Sequence, residues 1–252
     1  MLAIERQNKI LANLQINQTA LVSELSKEYS VTEETIRRDL EKLEKRGLIK
    51  KTYGGAVFGR DVGLDIPIRS RESVNQEENM YIAKLAATQI KDGETLMLDS
   101  SDISLYTARL LKQRIDLTII TNSVEMLMNF AFVKSVNVIS TGGVLQKNDY
   151  ILAGAGAEYA LKGFHVDKVI LSCSAIHRDY GLTEANEQEA HIKRLMVGSA
   201  KQIIVAASSN KFDNVSFVNF LDVSRMHTLI TNEPPSLPWR DFLKQNQIEL
   251  IV

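Results

Sequence analysis

The chain has 252 residues, of which 44% are hydrophobic and 24% are charged, and this ordinary globular balance excludes a disordered or fibrous protein. The net charge of −1 argues weakly against a nucleic-acid partner. Residues 1–60 nevertheless carry a small basic excess, with eleven Lys or Arg against eight Asp or Glu. No apolar run approaches the roughly 18 residues that cross a bilayer, and no signal-like apolar segment precedes Glu5 and Arg6, so we expect a cytoplasmic protein.

Three helices are predicted at the start of the chain. Apolar residues recur three to four positions apart over residues 3–16, as an amphipathic first helix requires. Thr19 is a candidate cap for a second, short helix that ends near Tyr29. Thr32 offers a hydroxyl to the exposed amides of a third helix, and Gly47 ends that helix.

The third helix has two chemically different sides. Ile36, Leu40 and Leu43 share one side, and the opposite side carries one hydroxyl and three basic groups, those of Thr35, Arg38, Lys42 and Lys45. This arrangement suits a helix in the major groove, where Arg pairs with guanine edges and Lys and Thr contact phosphates. The alternative is an ordinary solvated surface helix, which composition alone favours.

A basic hairpin is predicted directly after the third helix. Residues 48–58 predict two short strands around a Gly54-Gly55 turn, with Lys50 and Lys51 in the first strand. A basic hairpin in this position is typical of the wing of a winged helix-turn-helix. The candidate DNA-binding residues are therefore Thr32, Thr35, Arg37, Arg38, Lys42, Lys45, Lys50, Lys51, Tyr53 and Gly54.

This segment resembles the DNA-binding domain of the DeoR family of bacterial transcription regulators. The matching residues are Val31-Thr32, Thr35 to Leu40, Leu43, Gly47-Leu48-Ile49 and Tyr53-Gly54-Gly55-Ala56, with Arg6 matching an arginine of the family's first helix. The resemblance implies that the third helix docks in DNA. Asp39 would repel phosphate on such a helix, so we expect it to hold Arg6 or another cation in an orienting ion pair.

The rest of the chain is predicted to be a larger α/β domain. Residues 59–71 lack periodicity and are predicted to link residues 1–58, the winged helix-turn-helix, to residues 72–252. Helices are predicted over 76–90, 105–111, 124–130 and 187–200, and strands over 94–99, 117–121, 136–141, 168–172, 202–206 and 249–252. This alternation indicates a parallel sheet.

Small polar residues follow several of these strands. They are Asp99 to Ser104, Thr121 to Ser123, Thr141 to Gly143 and Ala207 to Lys211. Because ligands of parallel sheets bind at the carboxyl ends of the strands, these loops are candidates to present amides and hydroxyls to an anion. The alternative for any one of them is an ordinary turn, because Ser, Asn, Asp and Gly are common in turns.

The larger domain resembles the sugar-phosphate sensor domain of the DeoR family, whose fold is similar to that of ribose-5-phosphate isomerase. The matching segments include Arg71 with Asn75, Asp99, Thr121-Asn122-Ser123, Thr141-Gly142-Gly143, Gly181-Leu182-Thr183, Glu189-Ala190 with Lys193-Arg194, and Lys211-Phe212. The resemblance implies that a phosphorylated sugar or related metabolite binds here and alters DNA affinity. The candidate effector-binding residues are Asp99, Ser100, Ser101, Asp102, Ser104, Asn122, Gly142, Gly143, Glu184, Lys193 and Lys211.

One segment departs from the family pattern. Where the family usually has Asp-x-Gly-Ser/Thr-Thr, this chain has Asp99-Ser100-Ser101-Asp102-Ile103, which loses a glycine and two hydroxyls and gains a carboxylate. A like charge beside a bound phosphate costs affinity. Two alternatives follow for the pocket: an unusual effector that carries a cation or lacks phosphate, or no effector at all.

An enzyme is the competing function, with Asp99, Asp102, Glu184 and Lys193 as acid-base groups. The sequence supplies no nucleophile-base pair and no metal-ligand spacing among its four histidines, so we expect no enzyme, metal or cofactor. Cys173 is expected to be a buried thiol in a strand. A protein-interaction adaptor is the third alternative. We expect a DNA-binding regulator, a repressor of a sugar-metabolism operon, that pairs two modules in a homo-oligomer.

Overall fold

The computed structural model describes residues 6, 7, 9–11, 13, 14, 19–45, 49–52, 54–58, 76–146 and 150–252. The chain divides into two compact units, Met1–Arg71 and Glu72–Val252. No helix among the described residues is long and apolar enough to cross a membrane. The predicted linker over residues 59–71 and the predicted helix end at Gly47 lie outside the described residues.

In its described part, the N-terminal unit combines helices with a small antiparallel sheet. The described residues between positions 6 and 14 are helical and form α1. The other elements are β1 (Thr19–Leu21), α2 (Val22–Glu28), α3 (Glu33–Lys45), β2 (Ile49–Thr52) and β3 (Gly55–Phe58). The sheet order is β1-β3-β2. The third helix is thus followed by a hairpin, as the sequence predicts.

Apolar side chains from the helices and the sheet form the core of this unit. Ile36, Leu40 and Leu43 of α3 are buried, as their spacing predicts, and pack with Ile10 of α1 and Leu25 of α2. Burial of one side of α3 limits its rotation about its own axis. The opposite side is therefore held in the solvent.

The predicted start of α3 is confirmed, and that of α2 is wrong. The Thr32 hydroxyl oxygen accepts a hydrogen bond from the Thr35 amide at 3.3 Å and so caps α3. Thr19 does not cap α2, because it lies in β1 and pairs with Val57 of β3, and α2 begins at Val22. Pairing with a distant strand outweighs the local capping preference of threonine.

The two glycines of the hairpin have different roles, whereas the sequence predicts a turn for both. Gly54 has a φ of +91°, a conformation that favours glycine, and lies between β2 and β3. Gly55 is already the first residue of β3, and a Cβ there would lie 2.3 Å from the Ala20 carbonyl oxygen. The close approach of β1 to β3 therefore requires Gly55.

A buried ion pair joins α1 to α3. Arg6 Nε lies 2.6 Å from Asp39 Oδ2, and the Gln7 side-chain amide donates to Asp39 Oδ1 at 2.8 Å. All three side chains are buried. The predicted pairing of Asp39 with Arg6 is confirmed, and it explains the acid on α3, because Asp39 faces the interior and not the basic side.

The C-terminal unit is built on a parallel sheet. Its helices and strands are, in chain order, α4 (Gln76–Thr88), β4 (Thr95–Leu98), α5 (Asp102–Leu110), β5 (Leu117–Thr121), α6 (Val124–Phe130), β6 (Val136–Ser140), β7 (Val144–Gln146), β8 (Ile151–Ala153), α7 (Ala155–Lys162), β9 (Val166–Leu171), β10 (Ala175–His177), β11 (Gly181–Glu184), α8 (Glu187–Gly198), β12 (Ala200–Ala206), β13 (Val218–Leu221), β14 (Thr228–Ile230), α9 (Leu237–Gln245) and β15 (Glu249–Ile251). The parallel sheet has seven strands in the order β15-β14-β12-β9-β4-β5-β6, and β10-β11-β13 and β7-β8 form two small antiparallel sheets.

The strand order of the parallel sheet reverses between β4 and β9. After β4 the chain adds β5 and β6 on one side, and it later returns to place β9 on the other side of β4. Leu96 and Leu98 of β4 belong to one apolar cluster and Met97 to another, so the sheet is covered on both faces. Such a switch point opens a crevice at the carboxyl ends of the two strands, here beside Asp99 and Ser172.

The predicted parallel α/β sheet is confirmed, but one helix start is wrong. α5 begins at Asp102, before the predicted start at Leu105, because the Ser101 hydroxyl accepts from the Ser104 amide at 3.2 Å and caps the helix. Asp102 and Ser104 therefore lie in the helix and not in a loop. The sequence pattern does not predict the two small sheets, β14, α7 or α9.

Replacing Asp39 with Ala leaves the buried Arg6 guanidinium without its partner, and we expect the N-terminal unit to lose about 3–5 kcal/mol of unfolding free energy. Glu33→Ala breaks the exposed pair with Arg37 and is the matched control, with an expected loss below about 1 kcal/mol. Amide hydrogen exchange across α3 in the full-length protein measures both changes, whereas the fluorescence of Trp239 reports on the C-terminal unit. Equal protection in the two variants would show that the buried pair does not hold α1 on α3.

Candidate DNA-binding surface and effector site

The exposed side of α3 presents several basic side chains. Arg38 has 73% of its side chain accessible, and Lys42 and Lys45 are also exposed. Arg37 lies at the margin of this side, with 53% accessible, and Thr35 is half-buried. Because the core fixes the rotation of α3, these side chains are turned away from the protein and are available to a groove of DNA.

Glutamates in the first turn of α3 hold both arginines. Arg37 Nη2 lies 2.7 Å from Glu33 Oε2, and Arg38 Nε lies 3.4 Å from Glu34 Oε1. Exposed pairs of this i, i+4 type stabilise a helix by less than about 1 kcal/mol. They are weak enough for a phosphate or a base edge to replace.

The wing is attached to α3 through one of its lysines. Lys51 Nζ lies 3.1 Å from Glu41 Oε1, and the Lys51 amide donates to Glu44 Oε1 at 2.8 Å. Lys50 lies in β2, but its side chain and all of Tyr53 lie outside the described residues. Of the basic wing candidates, Lys51 is thus engaged within the protein.

A second site lies at the switch point of the parallel sheet. Asp99, Asn122, Thr141 and Ser172 follow β4, β5, β6 and β9 directly. Since these strands are neighbours in the order β9-β4-β5-β6 and neighbouring strands lie about 4.8 Å apart, the four residues form one row at the carboxyl edge of the sheet. The structure therefore brings together the polar loops that the sequence predicts at separate strand ends.

The Asp99 carboxylate is buried and held by its own chain. Its Oδ1 accepts from the hydroxyls of Ser101 and Ser104 at 2.6 and 2.5 Å, and its Oδ2 accepts from the Ser172 amide at 2.9 Å. Burial alone raises the pKa of Asp99, but the Lys193 ammonium and these hydrogen bonds outweigh burial and hold the pKa below its ordinary value. Asp99 and the fully buried Ser104 thus organise the loop from inside.

One buried ammonium joins three carboxylates at this edge. Lys193 Nζ donates to Glu184 Oε1 and lies 3.2 Å from Asp99 Oδ2. It also lies 3.4 Å from Glu189 Oε1 and donates to the Ser172 carbonyl at 2.9 Å. Burial lowers the pKa of Lys193, but the three carboxylates outweigh burial and raise it above its ordinary value. Lys193 therefore stays charged, in a cluster with an excess of acids.

Most polar atoms of this cluster are used within the protein. Glu184 Oε2 accepts from the Ser174 hydroxyl at 2.5 Å, which leaves both of its oxygens engaged. Asp99, Glu184 and Lys193 are all buried. Because a buried charge without a partner is costly, the network stabilises the arrangement of β4, β11 and α8. A ligand reaches these three groups only by displacing one of their contacts.

Lys211 and Asn122 offer polar atoms that the cluster does not use. Lys211 is half-buried, and its Nζ donates to the neutral Ser172 hydroxyl at 3.0 Å, with no carboxylate of the described residues in ion-pair distance. The Asn122 side-chain NH₂ donates to the Leu152 carbonyl at 3.3 Å, while its Oδ1 is buried and has no hydrogen-bond partner among the described residues. A buried amide oxygen requires a donor, which a ligand hydroxyl can supply.

The other candidate residues line the same edge. Ser100 and Asp102 are partly exposed, and Asp102 lies in the first turn of α5, where the helix dipole favours an anion. Gly142 and Gly143 follow β6 with φ of +65° and +107°. A Cβ on Gly143 would lie 2.6 Å from the Ala153 carbonyl oxygen, so the close approach of β8 requires this glycine.

Several residues in the two sites are not among the predicted candidates. Glu189 lies four positions before Lys193 on α8, and this i, i+4 acid-base spacing is a signal that identifies it. Ser172 contributes an amide, a carbonyl and a hydroxyl, and its position directly after a strand is its only signal. No local spacing in the sequence predicts the contacts of Glu41 and Glu44 with the wing.

Neither a metal cluster nor a reactive thiol occurs among the described residues. They contain no group of three His, Cys, Asp or Glu side chains that could hold a metal ion. Cys173 is buried, as predicted, although it follows β9 instead of lying within it. Burial raises the pKa of Cys173 to about 11. The thiol is therefore protonated at neutral pH and is a poor nucleophile.

Both units match models of one protein family. The model described as the DeoR-like helix-turn-helix domain matches residues 6–61, and the model described as the DeoR C terminal sensor domain matches residues 74–233. The second match alone covers more than half of the chain. Together they confirm the resemblance carried by Thr35 to Leu40 and by Thr141-Gly142-Gly143.

Relatives align along most of their length. The chain is 39% identical to the uncharacterized HTH-type transcriptional regulator YulB of Bacillus subtilis, over 92% of this chain and 90% of the relative. It is 32% identical to the HTH-type transcriptional repressor GlcR of B. subtilis, over 88% and 85%. It is also 32% identical to the L-fucose operon activator of Haemophilus influenzae, over 87% of each.

Among solved structures, ribose 5-phosphate isomerase A of Methanocaldococcus jannaschii aligns over 55% of each chain, with 16% identity and a TM-score of 0.41. The two family models between them describe a helix-turn-helix domain followed by a sensor domain. Because the family models and the near-full-length relatives agree, this chain belongs to the DeoR family of DNA-binding transcription regulators and not to a family of enzymes.

Proposed function

We propose that the protein represses a carbohydrate-metabolism operon and that a phosphorylated sugar or a related metabolite modulates its affinity for operator DNA. The observation that carries the proposal is the basic side of α3, exposed on a helix whose other side is fixed by the core. Two relatives support a role in operon control, since GlcR is named a repressor and the H. influenzae relative an L-fucose operon activator. We propose repression, as in GlcR.

We assign DNA binding to residues 1–58 and effector sensing and oligomerisation to residues 72–252, with residues 59–71 as the linker. One winged helix-turn-helix makes few base contacts, so its specific affinity is low. Two modules joined in one assembly bind repeated half-sites more tightly, because the second module binds at a high effective concentration. The proposed working form is therefore a cytoplasmic homo-oligomer.

In the proposed complex α3 lies in the major groove. Arg38 is opposite the core and strongly exposed, so we assign it to a guanine edge. Arg37, at the margin of the helix, is assigned to a phosphate. The other proposed contacts are to the DNA backbone and come from the hydroxyls, lysines and wing residues Thr32, Thr35, Lys42, Lys45, Lys50, Tyr53 and Gly54.

Lys211 and Asn122 are the residues that we propose to contact the effector directly. Lys211 is a partly accessible cation whose described contact is a neutral hydroxyl, which suits a phosphate. Asn122 Oδ1 suits a sugar hydroxyl, because it is buried and needs a donor. We assign backbone or hydroxyl contacts to Ser100, Ser101, Gly142 and Gly143, and a supporting role to the closed network of Asp99, Ser104, Glu184 and Lys193.

Asp102 restricts where a phosphate binds. Its carboxylate lies in the first turn of α5, the position that an anion takes at a helix N-terminus. We therefore assign the phosphate to the Lys211 side of the site and the sugar hydroxyls to the Asn122 side. The excess of acids favours the two alternatives to this proposal, an effector that carries a cation or lacks phosphate, or no effector at all.

Arg38→Ala is expected to weaken specific operator binding by about 1–3 kcal/mol and to relax the preference at one base pair, because a bidentate contact with guanine is lost. Arg37→Ala is expected to weaken binding to all sequences and to lower the salt-dependence slope by about 1, because a phosphate contact is lost. Site selection from random DNA by the full-length protein, followed by titrations over a salt series, measures both effects. The control is Lys84→Ala, an exposed cation of the C-terminal unit. An Arg38→Ala variant with an unchanged site preference would contradict base reading by Arg38.

Lys211→Ala is expected to weaken binding of a sugar phosphate about tenfold or more, because a charged hydrogen-bond donor to the phosphate is lost. The matched control is Lys201→Ala, since Lys201 is exposed at the amino-terminal end of β12 and pairs with Asp167. Calorimetric titration of the full-length protein with a panel of sugar phosphates measures the difference. The same loss in both lysine variants would argue against direct contact with Lys211.

Asp102→Ser is expected to tighten binding of the same sugar phosphates, because it removes a like charge from the first turn of α5. The titration panel that serves for Lys211 also measures this change, and Glu125→Ser, an acid in the first turn of α6, is the matched control. If neither the wild type nor Asp102→Ser binds any member of the panel, the proposed phosphorylated effector is wrong, and the pocket binds an effector without phosphate or none.

A further inference from the structure

Lys51 contacts two glutamates of α3 at once. Its Nζ lies 3.1 Å from Glu41 Oε1, and its backbone amide donates to Glu44 Oε1 at 2.8 Å. Glu41 and Glu44 are three positions apart and therefore lie on the same flank of the helix. One residue of the wing is thus attached to α3 through both its main chain and its side chain.

The main-chain contact satisfies an amide at the edge of the wing sheet. β2 pairs with β3, and no other described strand lies beside it. Amides of an edge strand that point away from the sheet need water or another acceptor. The Glu44 carboxylate is that acceptor for Lys51, at a partly buried position. The contact therefore fixes β2 against α3 at one defined point.

The side-chain contact is at odds with a role for Lys51 on a DNA phosphate. About two-thirds of the Lys51 side chain is covered, with 33% accessible, whereas Lys42 and Lys45 are exposed. The main chain of Lys51 is also held by Glu44, so Nζ stays close to α3 and is less free to reach a phosphate than an exposed lysine of the helix. The hydrogen bond from Lys51 also lowers the pKa of Glu41, so this carboxyl group stays charged at neutral pH.

We infer that Glu41, Glu44 and Lys51 form a clip that sets the position of the wing against α3, and that Lys51 is a positioning residue and not a phosphate contact. The inference rests on the proposed binding of DNA by α3 and the wing, and it revises the sequence-based expectation that Lys51 contacts DNA. A wing held in place loses less conformational freedom when DNA binds. The clip thus increases operator affinity through geometry.

A charge exchange separates the two roles of Lys51. In the full-length protein, Glu41→Lys and Lys51→Glu each break the clip and are expected to weaken operator binding about tenfold. The double variant restores the attraction and is expected to bind within about threefold of the wild type. Charge alone predicts the opposite for Glu41→Lys, because an added cation strengthens binding to phosphates. Fluorescence anisotropy with labelled operator DNA over a salt series gives the affinities and slopes.

Glu44 gives a test that leaves the Glu41–Lys51 pair in place. Glu44→Gln keeps an acceptor for the Lys51 amide and is expected to bind operator DNA like the wild type, whereas Glu44→Ala is expected to bind about tenfold more weakly. The Lys51 amide should exchange its hydrogen faster in Glu44→Ala alone, with α3 unchanged in both variants as evidence of folding. Equal operator affinity of Glu44→Ala and the wild type would overturn the main-chain part of the clip.

The outcomes of the charge exchange distinguish the inference from the function on which it rests. Recovery of affinity in the double variant, with the salt slope of the wild type, supports the clip. A double variant as weak as Lys51→Glu, or a slope lowered by about 1 as expected for the control Lys45→Ala, makes Lys51 a phosphate contact and overturns the clip alone. A wild-type protein without operator binding overturns the proposed function, and the clip with it.

Discussion

A single buried ammonium group holds the carboxyl edge of the C-terminal unit together. Lys193 of α8 contacts Asp99, which follows β4, and Glu184, which ends β11, so one side chain connects a helix, the parallel sheet and a small antiparallel sheet. Taking these charges out of water is unfavourable, and only their mutual contacts offset it. The loops at this edge are therefore fixed by the fold itself, and a ligand has little ordering left to impose.

The N-terminal unit depends on the same kind of interaction. Asp39 is anchored in the interior by Arg6 and Gln7, and its chain neighbour Arg38 consequently points away from the core. Apolar contacts alone leave some freedom of rotation to a short helix packed on one side. A buried ion pair removes that freedom, because any other rotation would leave a charge without its partner. In both units, buried carboxylates therefore determine which polar side chains are exposed at the surface.

The sequence predicts those helices and strands whose pattern of apolar residues lies within the segment itself. The bounds of β5 and α6 agree with the apolar spacing of residues 117–121 and 124–130, because each segment carries its own period. The role of Gly55 is not predictable in this way, because it depends on β1, which is distant in sequence. The residues of the effector site are likewise only partly predictable. Asp99 is predictable from its position at a strand end, and Lys193 from a family motif. Their contact with each other and the unpartnered oxygen of Asn122 depend on tertiary packing, which sequence spacing does not show.

The glutamates that hold Arg37 and Arg38 have a further consequence for the proposed binding of DNA. Ordinary DNA is present in vast excess over operators, and a basic helix binds it through phosphates alone. Phosphates without a matching base edge must compete with Glu33 and Glu34 for the same guanidinium groups and are repelled by these acids. In the proposed complex with DNA, this competition lowers binding to sequences that offer phosphates but no matching base edge.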